Sequence, residues 1–211
     1  YFAICHRVRD MAVMFGDDSE DIRSLDRMLS DIYFANFSLF QSMPDSWAID
    51  HLFPVMPIHR LNEEPTRHAV LGDITCDSDG KVEGFIGCGK RQRTLMLHPY
   101  KAKDPYLLAV FLVGAYQEIL GDLHNLFGDT HAVHVDVKNG VPKMQTIVKG
   151  DTVQEVLEYV QYEGRELVEK LQDAVEDALQ HGHITNEQAG DTVSFYEQAL
   201  AHYTYLSGRS E

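Results

Sequence analysis

The sequence offers little to a charged polymer or a lipid surface. Lys and Arg number 18 against 33 Asp and Glu, a formal net charge of −15, and no basic patch stands out. Nucleic-acid phosphates demand clustered Lys and Arg, which argues against nucleic acid. The same charge balance argues against an anionic membrane surface. A small cationic substrate suits the field of such a chain better. Cysteine is scarce. Cys5, Cys76 and Cys88 make an odd count of 3 with no CxxC pair, which argues against a disulfide framework or a cysteine zinc site and for a reducing, cytoplasmic setting. Long apolar runs are missing as well. The stretch "YLLAVFLVGAY" falls short of the roughly 20 residues a helix needs to span a bilayer. No secretory leader pattern is read. Tyr1 stands in what reads as the middle of a helix with no cap before it, so a longer parent chain is expected.

What is present reads as helices, then strands, then helices. Ile4, Val8, Met11 and Phe15 recur at helical spacing and predict one apolar face. After Gly16, Asp17 or Asp18 is placed to cap a second helix through about Ser30. From Asp31 the aromatic-rich "DIYFANFSLFQS" reads as a strand, and Pro44, Pro54, Pro57 and Pro65 cut the chain beyond it into short pieces. "HAVLGDIT", "KVEGFIG", "RTLMLH" and "YLLAVFLVGAY" are further strand candidates. "AVHVDVKNGVPKMQTIV" is the clearest hairpin, with alternating valines and an Asn139-Gly140 turn. Between these strands, "QEILGDLHNLFG" predicts a short helix or helical loop. Beyond Asp151 the chain is helical again. Asp151 with Gln154 and Thr185 with Gln188 resemble capping boxes, and Gly182 ends one helix. The prediction is an α+β fold with a β-sandwich or barrel-like core between helical flanks. Its expected parts are a helical segment 1–30, a β domain 31–150 and a helical extension 151–211.

Three places carry candidate chemistry. His124, His131 and His134 lie near Asp129 and Asp136. Residues three apart on a strand face opposite ways, however, so His131 and His134 cannot share a metal there, and ordinary polar histidines are the better reading. "GAYQEILGDLHNLFGD" places small residues before Tyr116, which would let a backbone approach a ligand. The phenol could meet a phosphate oxygen or simply pack with a wet tip. "DITCDSDGK", Asp73 to Lys81, sets a thiol among carboxylates. Its Asp-Ser-Asp-Gly is turn chemistry, so composition alone reads it as a hairpin loop with a buried, inert cysteine. The spacing does not fit a calcium loop.

Together "DITCDSDGK", "FLVGAYQEILGDLHNLFGDTHAV" and "SLDRMLSDIYFANFSLFQSMPDSWAIDHLFPVMPIHRL" resemble the C-terminal part of biosynthetic arginine decarboxylases. The likeness runs from about Gly16 to Tyr205, with three long blocks in order. These enzymes are similar to ornithine and diaminopimelate decarboxylases, pyridoxal-phosphate enzymes with an N-terminal (β/α)₈ barrel and a C-terminal β domain. The arginine enzymes add a helical insertion and a helical C-terminal extension. The resemblance implies that the barrel, with the lysine that holds the cofactor, is not in this chain. It implies conversion of arginine to agmatine and CO₂ for polyamine synthesis, in a cytoplasmic homo-oligomer whose active site is shared between subunits. It also implies the use of magnesium.

Carried over by position, Cys76 matches the family's active-site cysteine, which protonates the substrate α-carbon from across a dimer interface. Asp77 matches the acid that meets the distal cationic group, with Asp79 beside it. Tyr116 matches the tyrosine that binds the cofactor phosphate. Asp122, His124 and Asn125 lie near these motifs without assigned roles, and no metal ligand is named. On this reading the acids suit the thiol, because negative charge disfavours the thiolate and a proton donor must hold its proton. They also suit a guanidinium, whose planar fork a carboxylate can meet bidentately. The rivals are the same chemistry on ornithine, lysine or diaminopimelate, a non-catalytic assembly module in which Cys76 would be buried and unreactive, and a histidine metal module.

Overall fold

A computed structural model describes residues 1–17, 19–87, 91–102 and 104–207. Cys88 and Asp18, one of the two expected caps, lie outside the described residues. The chain divides into two compact units, Tyr1–Asp122 and Leu123–Glu211.

The first unit opens with α1 (Phe2–Phe15), closed by Gly16 at φ 66. Ile4, Val8, Met11 and Phe15 lie on it as spaced, and all four are exposed. Helix α2 (Glu20–Met28) is capped at Ser19, not at Asp17, whose carboxylate instead accepts the Ser19 N–H at 2.9 Å. Strand β1 (Asp31–Phe34) follows, and then two short helices, α3 (Leu39–Ser42) and α4 (Pro44–Ala48). The single strand expected over "DIYFANFSLFQS" therefore stops early. Ser38 accepts the Gln41 N–H and starts a helix there, as an N-cap serine does.

Strands β2 (Val55–Pro57), β3 (Arg67–Gly72), β4 (Lys81–Val82), β5 (Phe85–Ile86), β6 (Arg91–Gln92), β7 (Leu95–Leu97) and β8 (Leu108–Val110) complete the sheets, and α5 (Ala115–Ile119) ends the unit's regular structure. Strand β3 is the hub. It pairs in parallel with β1 and antiparallel with β4 and β7. The remaining strands of this unit form the two-stranded pairs β2–β8 and β5–β6. "KVEGFIG" is thus two short strands. "YLLAVFLVGAY" is a strand only at Leu108–Val110, because Leu112 turns to φ 61 before α5 begins. The core gathers Leu39, Met43, Phe53, Ala69, Leu71, Val82, Phe85 and Leu97. Full burial of a large apolar side chain of this kind is worth about 1.5–3 kcal/mol.

The second unit holds a 3₁₀ turn (His124–Leu126), the hairpin β9 (Ala132–Lys138) and β10 (Val141–Val148), and helices α6 (Val153–Tyr159), α7 (Gly164–Gln180) and α8 (Asn186–Leu200). The hairpin forms as expected. Asn139 and Gly140 take φ 53 and 76, the left-handed pair of a type I′ turn. The register sets Val133, Val135 and Val137 opposite Ile147, Met144 and Pro142, so one face is wholly apolar, and it is exposed. Helix α7 ends before Gly182 at φ 68, and the capping box at Thr185 and Gln188 is present. The other box sits one residue along from the expected Asp151, at Thr152 with Glu155. The fold is α+β, with its strands in small sheets.

Candidate active site

Strands β3 and β4 pair up to the Gly72–Lys81 rung, so residues 73–80 form the loop between them. At its start Asp73 is 2% exposed. One carboxylate oxygen accepts the Thr75 N–H at 2.9 Å and the Thr75 hydroxyl at 2.7 Å. The other accepts the Leu39 N–H at 2.8 Å, one of the donors that the first turn of a helix leaves unpaired. At the far foot, Gly80 O accepts the Asp73 N–H at 2.8 Å. A Cβ on Gly80 would fall on the Asp73 carboxylate and lie 2.6 Å from the Thr75 hydroxyl. The loop thus closes around a buried carboxylate.

The tip carries the expected residues. Cys76 is exposed, which separates it from the buried, inert thiol of a plain hairpin loop. Asp77 is half-buried, and Asp79 is exposed. Asp77 bends the chain by an Asx turn. Its carboxylate accepts the Asp79 N–H at 2.8 Å, and its carbonyl accepts the Gly80 N–H at 3.1 Å. Such turns fix a short segment without regular secondary structure.

Asp79 also borders a hollow of about 650 Å³ with Arg27, Trp47, Lys81, Glu83 and Arg91. The hollow's basic groups are matched by acids. Arg27 and Lys81 both meet Glu83, and Arg91 meets Asp50. Burial alone would push the Glu83 carboxyl up, but the hydrogen bonds from Arg27 and Lys81 outweigh it and hold it below the usual range.

Tyr116 stands apart from the loop, in the first turn of α5, with 79% of its surface exposed. The next residue, Gln117, is 4% exposed. Its amide donates to the Asp45 carboxylate at 2.6 Å and accepts the Asp45 N–H at 3.1 Å. Beyond α5, the Asp122 N–H donates to Phe40 O at 3.1 Å. The tyrosine helix and the cysteine loop therefore rest on one segment, 38–48. Cys76, Asp77 and Asp79 share the loop, and this common support links Tyr116 to them. His124 and Asn125 fall in the 3₁₀ turn of the second unit.

The other histidines have local work. His131 stacks on Tyr203 with ring centroids 4.1 Å apart and accepts the Gly150 N–H at 2.8 Å. His134 pairs with Thr146 on the hairpin's polar side. Asp73, Asp45 and Gln117 were not singled out by the sequence. An Asp two residues before a Thr is a local turn signal, but it does not reveal a partner on α3.

The helical end of the chain defines the class. Residues 153–206 match the family model described as the arginine decarboxylase C-terminal helical extension. Over the whole chain the likeness is to one kind of enzyme. The biosynthetic arginine decarboxylase of Rhodopirellula baltica is 72% identical over 211 residues, 100% of this chain and 32% of that protein. That of Thermosynechococcus vestitus is 48% identical, over 98% of this chain and 32% of that protein. The crystal structure of the biosynthetic arginine decarboxylase SpeA from Campylobacter jejuni superposes with a TM-score of 0.74 at 30% identity, covering 94% of this chain and 35% of that one. The chain belongs to the biosynthetic arginine decarboxylase family, as its C-terminal region. It spans about a third of the length of the curated relatives it matches.

Proposed function

We propose that the complete protein removes the α-carboxylate of arginine, giving agmatine and CO₂ for polyamine synthesis, with pyridoxal phosphate as cofactor. The setting is cytoplasmic, and this region completes a site formed with a barrel of the same protein and shared between subunits of a homo-oligomer. One observation carries the reading. An exposed thiol and a neighbouring carboxylate stand at the tip of a loop pinned by a buried acid, in a chain whose relatives bear that activity in their names.

The residues present fit a phosphate-bearing cofactor. The exposed phenol of Tyr116 can donate to a phosphate oxygen. The backbone beside it is open, since a Cβ on Gly114 would meet nothing within 4 Å. When bound, the cofactor withdraws electrons from the α-carbon. Cys76 would then give its proton to that carbon after CO₂ leaves. Asp77 meets the guanidinium at the far end of the substrate. Its Asx turn fixes the backbone, so little freedom is lost on binding. Asp79 adds negative charge on the same tip. Magnesium finds no matching set. Among the described residues no group of three or more His, Cys, Asp or Glu is gathered to hold an ion, and no step is assigned to it.

The test is steady-state kinetics of the full-length enzyme on arginine, ornithine, lysine and diaminopimelate. Cys76→Ala is expected to lower kcat by about 10²- to 10⁴-fold, the range of a positioned proton donor. Asp77→Ala is expected to raise KM for arginine by about 10- to 100-fold, as loss of a charged hydrogen bond does. Wild-type constants in both variants, or preference for another of the four substrates, would overturn the reading.

A further inference from the structure

We infer that Asp73 is a positioning residue: from beneath the loop it sets the place of Cys76 and Asp77 and fixes the loop to the segment that also holds Tyr116. This rests on the proposed function.

Asp73 is almost wholly buried, and the donors it meets there are neutral: two from Thr75 and one from Leu39. A carboxylate in such a place costs desolvation that a smaller neutral side chain would avoid. What the acid provides is reach in two directions at once. One oxygen holds Thr75, the residue joined directly to Cys76, by both its backbone and its hydroxyl. The other oxygen holds the first turn of α3. An asparagine has one acceptor oxygen and cannot serve both sides.

The far foot is held in the same place. The Asp73 N–H donates to Gly80 O, and Gly80 packs so closely that a methyl group there would strike the carboxylate. The path from Thr75 to Gly80 thus starts and ends on one residue, held at one end by the Asp73 carboxylate and at the other by its backbone N–H, with Cys76 and Asp77 at its crest. Through Leu39 the same carboxylate ties the crest to the segment that grips α5 at Asp45 and the chain just beyond it, at Asp122, through Phe40. A rigid support behind the reacting groups is what proton transfer to a single carbon requires, since small displacements cost large factors in rate.

The experiment uses the full-length enzyme with Asp73→Asn, Thr75→Val, Thr75→Ser and Cys76→Ala. Asp73→Asn is expected to lower kcat on the order of a hundredfold. Thr75→Val should lower it in the same direction, and Thr75→Ser, which keeps the hydroxyl, should return it to the wild-type value. Independently of activity, amide hydrogen exchange should quicken at Leu39 and at 74–80 in Asp73→Asn while β3 keeps its protection. Wild-type kcat in Asp73→Asn beside a slow Cys76→Ala would remove this inference alone. Equal kcat in Thr75→Val and Thr75→Ser would remove it even where Asp73→Asn folds poorly. Wild-type kcat in Cys76→Ala would remove the proposed function itself.

Discussion

At Gly80 a missing side chain makes room for a buried one. Gly80→Ala would place a methyl group against the Asp73 carboxylate, and overpacking of this kind costs about 1–3 kcal/mol. The urea midpoint of the first unit should fall accordingly. Gln117 is the counterpart under Tyr116. Its amide both donates to and accepts from Asp45, so Gln117→Glu would face one carboxylate with another. That variant should be less stable than wild type at pH 7 and should recover as the pH falls and one of the two acids protonates. Thermal unfolding at the two pH values measures this. The proposed site residues stand out in the sequence because they sit in contiguous motifs. Their supports do not, because Leu39 lies 34 positions from Asp73, and Asp45 lies 72 from Gln117. A sequence shows neighbours along the chain, and these bonds join strangers.

Elements with a strong local signature were legible in the sequence. The β9–β10 hairpin needed only period-two valines and Asn-Gly, and Thr185 with Gln188 formed its box as spaced. Where two cap-forming residues adjoin, the pattern misleads by one. Asp151 and Thr152 both suit a cap, but the helix starts after Thr152 because its side chain accepts the Glu155 N–H while Glu155 reaches back. Thr152→Ala should cost about 1 kcal/mol, seen as faster amide exchange in α6. The box is also pH-dependent. The Thr152 backbone and hydroxyl donors hold the Glu155 carboxyl below its ordinary value of 4.5. A depressed folded value means that this contribution is present above 4.5 and is lost as the pH falls through the folded value. Helix α6 should therefore fray on acidification, and Glu155→Gln, which stays neutral throughout, should remove that dependence. The two strands that end early share a cause. "DIYFANFSLFQS" and "YLLAVFLVGAY" have strand composition along their length, but Ser38 starts a helix inside one and Leu112 at φ 61 turns the other.

For the molecule as a whole, a net charge of −15 and an exposed apolar hairpin face act in opposite senses. Like charges keep copies apart, while contiguous exposed apolar surface draws partners. The pairs Val133–Ile147, Val135–Met144 and Val137–Pro142 form that surface. The 211-residue chain alone should bind an apolar dye, and its self-association should grow with salt as charge is screened. Val135→Thr with Met144→Gln should reduce both, while the helical signal in circular dichroism stays unchanged. Unaltered dye binding would place the apolar surface elsewhere.

Because the loop between β3 and β4 is locked at both feet, its crest is a cassette. The three positions 77–79 can be exchanged as a block while Asp73, Cys76 and Gly80 keep their places. On the proposed function, selectivity for the far end of a substrate would then drift, or be redesigned, at the crest without retuning the sheet beneath. A transplant between enzymes of different preference would have to carry Asp73 and Gly80 along with the crest.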